Sequence, residues 1–95
     1  MKVGFAYIMA SQRNGTIYTG STSNLVQRAY QHRTGAIVGF TNEHDCRLLV
    51  WFEAHDDLQE ARRRERQIKK WNRIWKLRLI EEGNPEWNDL FDCLI

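Results

Sequence analysis

From residue 3 the apolar side chains fall at every second position: Val3, Phe5, Tyr7, Met9. A period of two predicts a strand with one face against a core. Asn14-Gly15 follows, a turn dipeptide in which both residues tolerate φ > 0, and Thr16-Ile17-Tyr18 returns as the partner strand. Residues 21–24 are rich in N-cap types, and Asn24 followed by Gln27 fits a capping-box-like start for a helix to about Arg33. Residues 34–44 read as a glycine-containing loop. Residues 46–54, CRLLVWFEA, give the clearest strand, β-branched and aromatic in the middle and charged at the ends. Asp56 or Asp57 caps a long helix to about Lys70, and a further helix covers about residues 73–82, ended by Gly83 at the C′ position. Asn84-Pro85 reads as an N-cap with Pro at N1, opening a last short helix, PEWNDLF.

The order is therefore ββαβααα. The first two strands form a hairpin, and the third joins the sheet after a helical crossover. This is an α+β fold: a small three-stranded mixed sheet, the N-terminal hairpin plus the third strand, flanked by helices. No repeat, linker or composition break divides the chain, so residues 1–95 read as one domain.

Composition narrows the class. With 42% hydrophobic and 27% charged residues and one proline, the chain is globular rather than disordered. No apolar run approaches the roughly 18 residues of a membrane span, and Lys2 is not followed by a signal-peptide h-region. Cys46 and Cys93 have no ligand-like spacing and read as reduced thiols of a cytoplasmic protein. The net charge is only +2, but residues 62–78 hold nine basic residues and one acid, Glu65. Such a patch tracks phosphates. It is equally a solvated helix face, offset by acids such as Glu43, Asp45, Asp56, Asp57 and Glu60.

Helical spacing puts unexpected residues on apolar stripes. Leu25, Arg28, Ala29 and His32 share one face, as do Leu58, Ala61, Glu65, Ile68, Asn72 and Trp75. A charge facing the core is costly unless paired or bound to metal. Glu65 therefore either forms a structural ion pair with Arg28 or Arg62, or lines a cleft where it holds a divalent cation while Arg28 faces a phosphate. One carboxylate with waters suits Mg²⁺, and the planar guanidinium fork suits phosphate. Tyr7 and Tyr18 sit mid-strand, where tyrosine ordinarily packs. On one face their hydroxyls would converge, and a phenol beside a cation and an arginine can act as a base. Trp71 and Trp75 interleave with the basic residues, and Trp75, on the stripe, reads as core.

Taken in order, these blocks resemble the GIY-YIG nuclease domain superfamily. Within it they are most similar to small single-domain bacterial proteins resembling the nuclease domain of the excision-repair endonuclease. FAYIM stands where that family has Gly-Ile-Tyr, and IYTG where it has Tyr-Ile-Gly. STSNLVQRAYQH, GFT, RLLVWFE, ARRRERQIKKWNR and NPEWNDL each resemble a block of the small proteins. The first motif reads Phe-Ala-Tyr, the second has Thr19 for Ile, and Ser21 follows the glycine where the repair enzymes have a lysine that helps lower a tyrosine pKa.

The resemblance implies a metal-dependent endonuclease hydrolysing DNA phosphodiesters, in repair or recombination. Its cofactor would be a single Mg²⁺ or Mn²⁺ on Glu65, with Tyr7 the preferred base, Tyr18 the runner-up, Arg28 neutralising transition-state charge and His32 auxiliary. Asn84 matches an asparagine found after the glutamate in many members, beside its plain N-cap reading, and Asn72 is the alternative. Arg62, Arg63, Arg66, Lys69, Lys70 and Arg73 would follow the phosphate backbone. Larger members carry separate DNA-binding domains, so the resemblance implies a homodimer or a protein partner supplying further DNA binding. The competing readings are a non-catalytic nucleic-acid-binding module with the same fold and a structural protein that binds no nucleic acid.

Overall fold

The alternating segments become three strands, Gly4–Ala10 (β1), Ile17–Thr22 (β2) and Leu48–His55 (β3), in a computed structural model that describes residues 3–36 and 44–94. Part of the resemblance, residues 39–41, lies outside the described residues. The helices are Leu25–Thr34 (α1), Leu58–Lys69 (α2) and Arg73–Gly83 (α3), followed by a 3-10 helix, Leu90–Leu94. The element order is ββαβααα, with the last helix a 3-10 turn that starts five residues later than Pro85-based capping suggests.

The sheet order is β2-β1-β3, and both pairings are antiparallel. The expected mixed sheet is thus corrected to an antiparallel one. The crossover through α1 carries the chain past β1, so β3 pairs with the free edge of β1 instead of with β2. β2 and β3 run the same way but are separated by β1. Both are edge strands, and the chain covers one of them: Leu49 N–H donates to Asp89 Oδ1 at 3.2 Å and Asn84 Nδ2 donates to the Val50 carbonyl at 3.1 Å. Side chains of the C-terminal segment thereby occupy polar backbone groups that would otherwise template aggregation.

Strand alternation divides the core between the two faces of the sheet. Tyr7, Met9 and Leu49 pack against Leu25 and Ala29 of α1 and against Phe91. Ile8, Ala10 and Val50 pack against Ile68 of α2 and Ile80 of α3. The helix signals hold at their starts: Asn24 caps α1 by accepting from Gln27 N–H at 3.1 Å, and Asp57 caps α2 by accepting from Glu60 N–H at 2.8 Å. Such caps contribute about 1 kcal/mol each.

Three details depart from expectation. Of Asn14-Gly15 only Asn14 takes a positive φ, 59°, inside a loop closed by Ser11 N–H to Thr16 C=O at 2.9 Å. Gly83 remains within α3, whereas Gly35, at φ 74°, provides the left-handed C-cap of α1. Trp75 is not core: it is 52% exposed, beside Ile74 at 62%. The stripe from Leu58 stops at Ile68, because the chain turns after Lys70 and Asn72 caps a new helix by accepting from Trp75 N–H. A spacing counted through that break does not survive it.

Candidate active site

Register decides which tyrosines meet. Tyr7 pairs with Gly20 and Tyr18 with Met9 across the β1–β2 ladder, and directly paired residues share a face. Both rings therefore lie on the α1 side, with centroids 6.4 Å apart. Gly20 leaves the space that Tyr7 fills: a Cβ there would come within 2.6 Å of the Tyr7 hydroxyl and 2.9 Å of Tyr18 Cε2. The phenol of Tyr7 thus crosses the β2 backbone and points toward the outer edge of the sheet.

α1 brings the next two groups. Its apolar stripe buries Leu25, Ala29 and His32, with Arg28 half-buried beside them. His32 Nε2 lies 3.0 Å from the Tyr7 hydroxyl, and its ring sits 5.6 Å from both tyrosine rings. Its Nδ1 is buried and has no hydrogen-bond partner among the described residues. Burial, and then the Arg28 charge, lower the His32 pKa from 6.5 to about 4, so the imidazole is neutral at physiological pH. Burial first, then the neighbouring Tyr18 and the Glu65 carboxylate, raise the pKa of Tyr7, while Arg28 opposes the rise through its charge and a side-chain hydrogen bond. The resting pair is neutral Tyr7 against neutral His32.

The His32 shift has a measurable consequence. Above about pH 6.5 the ring is neutral folded or unfolded, and its full contribution to stability is present. Below that, the unfolded chain takes up a proton that the native ring refuses, so stability is lost as pH falls toward about 4. The loss over that window should be about 3 kcal/mol. Denaturant unfolding at a series of pH values should show it in the wild type and lack it in His32→Gln. Equal slopes in the two proteins would refute the shift.

Glu65 arrives from the other side of the sheet. It lies between buried Ala61 and Ile68 on α2, and its side chain is 18% exposed. Ser21 pairs with Ala6 and faces α2, and its hydroxyl donates to Glu65 Oε1. Lys69, one turn along α2, places Nζ 2.6 Å from Glu65 Oε2 and 5.8 Å from the Tyr18 ring centroid. The cluster straddles the β2 edge: Tyr7, Tyr18, Arg28 and His32 on one face, and Ser21, Glu65 and Lys69 reaching round from the other. Because β2 is an edge strand, helix α2 can overhang it, which lets the Glu65 charge act on Tyr7. Among the described residues Glu65 forms no ion pair with Arg28 or Arg62; its cationic partner is Lys69. Ser21 and Lys69 escape a stripe-based reading. Ser21 follows the motif glycine on the opposite face, and Lys69 is detectable only as the i+4 partner of Glu65.

The two asparagines lie elsewhere. Asn72 is the N-cap of α3. Asn84 is buried on the β3 side, donating to the Val50 and Asn88 carbonyls at 3.1 and 2.8 Å and accepting from Asn88 N–H at 3.0 Å. Its side chain is fully used in fastening the C-terminal segment. Asn84→Ala should cost about 2–4 kcal/mol in chemical denaturation. The local chemistry around Tyr7 should be unchanged, read as an unaltered His32 pKa by NMR.

The basic residues divide by task. Arg62, Arg63, Arg66, Lys69, Lys70 and Arg73 are exposed, and Arg62, Arg63 and Arg66 line a shallow depression with Gln59. Arg73 also fastens the hairpin loop, donating to the Asn14 and Gly15 carbonyls at 3.0 and 2.6 Å. Arg64 turns inward, 3.1 Å from Glu53 Oε1 and 5.3 Å from the Trp71 ring centroid.

A cation at Glu65 would meet oxygen donors: one carboxylate and the Ser21 hydroxyl beside it, with open solvent for water and substrate. That donor set fits Mg²⁺ or Mn²⁺, which retain most of their hydration, and does not resemble a closed nitrogen and sulfur site. Among the described residues no group of three or more His, Cys, Asp or Glu side chains comes together as a metal cage. No helix among them is long and apolar enough to cross a membrane.

The chain carries a tyrosine pair over a glycine, an arginine and histidine on the following helix, and one glutamate from a later helix, and residues 3–78 match the GIY-YIG catalytic domain, the domain of a nuclease family. The chain belongs to the GIY-YIG family. More particularly, it is similar to the small bacterial UPF0213 proteins. It is 36% identical to one from Staphylococcus haemolyticus over 82% of this chain and 94% of that one, and 37% identical to one from Syntrophus aciditrophicus over 90% and 98%. The solution structure of a UPF0213 protein from Bacillus halodurans superposes with a TM-score of 0.55 at 26% identity, covering 90% of both chains.

Proposed function

We propose that this protein is a divalent-metal-dependent endonuclease acting on DNA, with Tyr7, Tyr18, Arg28, His32 and Glu65 as its active site. The observation that carries this reading is the convergence of these five side chains from β1, β2, α1 and α2 on one edge of the sheet, Tyr7 being under the electrostatic influence of both Arg28 and Glu65. Sequence distance gives no reason for them to meet. Structural ion pairing does not explain Arg28, which forms no ion pair among the described residues.

The chemistry follows from the environment of each group. Glu65 would hold Mg²⁺ or Mn²⁺, which when bound supplies Lewis-acid stabilisation to the scissile phosphate and the leaving oxygen. Tyr7, once its hydroxyl proton is lost to water, takes a proton from the attacking water as the phenolate, and neutral His32, with Nε2 3.0 Å away, orients it. Burial raises the Tyr7 pKa, so the phenolate has to be favoured locally for the step to proceed. The Glu65 charge is one cause of that rise, and compensating it makes the phenol more acidic. Arg28 faces the charge developing on the phosphate and favours electron density on Tyr7. Tyr18, packed against both Tyr7 and His32, fixes the ring geometry. The exposed arginines and lysines of α2 would carry the phosphate backbone, so binding should weaken steeply with salt.

One observation favours the alternative of a nucleic-acid-binding module without chemistry: both Glu65 oxygens are already engaged, by Ser21 and Lys69. A single assay separates the two. Branched, single-stranded and plasmid DNA are incubated with Mg²⁺ or Mn²⁺ and either wild type or Glu65→Gln. Metal-dependent cutting lost in the variant supports the nuclease. Salt-dependent binding with no cutting by either protein would leave the binding module.

A further inference from the structure

Glu65 is placed to hold a cation, and the chain supplies one. Lys69 Nζ stands 2.6 Å from Oε2, and the Ser21 hydroxyl donates to Oε1, so the carboxylate is compensated without any ion from solution. The two partners differ in mobility. Ser21 is fixed by the β1–β2 ladder, whereas the Lys69 side chain is 49% exposed on a flexible four-carbon stem at the end of α2. The order Glu(i), Lys(i+4) is also the favourable orientation for such a pair on a helix. An ammonium and a hydrated divalent cation cannot occupy the same side of one carboxylate.

We propose that Lys69 is a built-in competitor for the metal site: it occupies Glu65 in the resting protein and must leave before a divalent cation is bound. The inference rests on Glu65 being the metal-holding residue. Lys69 then acts as a positioning residue through Glu65. It keeps the carboxylate oriented and compensated in the absence of metal, and it sets how much divalent cation is needed to load the site. Once displaced, its ammonium stays tethered beside the Tyr18 ring, on the edge where a phosphate would approach.

Competition predicts that removing the ammonium strengthens metal binding, the reverse of what loss of a ligand or a damaged fold would do. Mn²⁺ is titrated into nucleic-acid-free protein, and paramagnetic broadening of the Tyr7, Tyr18 and His32 ring signals is followed by NMR. Half-broadening should occur at roughly fivefold lower Mn²⁺ in Lys69→Met than in wild type, the scale of releasing a partly exposed ion pair. Lys69→Arg, which keeps the charge, should stay near wild type, and Glu65→Gln should lose the effect. If Lys69→Met binds no tighter than wild type while Glu65→Gln still loses binding, the competitor role is overturned and Glu65 stands as the metal site. If Glu65→Gln broadens like wild type, the metal site falls and the competitor role with it.

Discussion

Glu65→Gln should reduce metal-dependent DNA cleavage by at least roughly 10²–10³-fold, since it removes the carboxylate proposed to hold the metal. The change is nearly isosteric and keeps an oxygen for Ser21. Among the described residues the charge lost is ion-paired with Lys69 alone, whose side chain is 49% exposed, so stability should change by no more than about 1 kcal/mol. The combination is diagnostic: cleavage collapses while the thermal midpoint and the salt dependence of DNA binding stay close to wild type. A further effect should appear at Tyr7, whose pKa is raised in part by the Glu65 charge. A spectrophotometric titration of the variant should show the buried phenol ionising at lower pH. Undiminished cleavage by Glu65→Gln would sink the assignment.

Tyr7→Phe should be the second most damaging change. It removes one hydroxyl from a fully buried ring and leaves the aromatic packing against Tyr18 and His32 in place. Cleavage should fall by about 10²–10⁴-fold, the usual contribution of general acid–base catalysis. Stability should also fall, by about 1–2 kcal/mol, because His32 Nε2 loses its 3.0 Å partner and both ring nitrogens are then unpaired in a buried site. A purely structural tyrosine would show the second effect without the first. Mn²⁺ binding should persist in Tyr7→Phe, which separates loss of the proton path from loss of the metal. Retained cleavage in Tyr7→Phe, with loss in Tyr18→Phe, would transfer the base role to Tyr18.

Much of this is readable from periodicity. The α1 stripe places Arg28 and His32 toward the sheet, and the α2 stripe isolates Glu65 as a lone inward acid, because both helices are uninterrupted over those residues. The caps at Asn24 and Asp57 are equally legible, being local chemistry. What a one-dimensional pattern does not carry is the pairing of distant edges. The antiparallel sheet depends on β3 choosing the free edge of β1, and the engagement of Glu65 by Ser21 depends on α2 overhanging β2. Trp75 shows the opposite failure. Its spacing from Leu58 runs across the turn at Lys70, and the new helix begun by Asn72 leaves it exposed. Asn84 shows how one local signal admits two roles: its place before Pro85 suggests an N-cap, its burial instead fastens the C-terminal segment to Val50, and only the fold distinguishes them.

The most direct test of the central claim is to locate the metal. A crystal of Tyr7→Phe bound to DNA and Mn²⁺ should give an anomalous peak within about 2.3 Å of a Glu65 carboxylate oxygen, the usual range for oxygen ligands of such cations. Around that peak should stand a phosphate oxygen, the Arg28 guanidinium and the edge of the Tyr18 ring, with Lys69 Nζ withdrawn from Oε2. A peak at any other set of side chains, or ordered DNA across the β2 edge with Glu65 still paired to Lys69 and no metal at saturating Mn²⁺, would contradict the account.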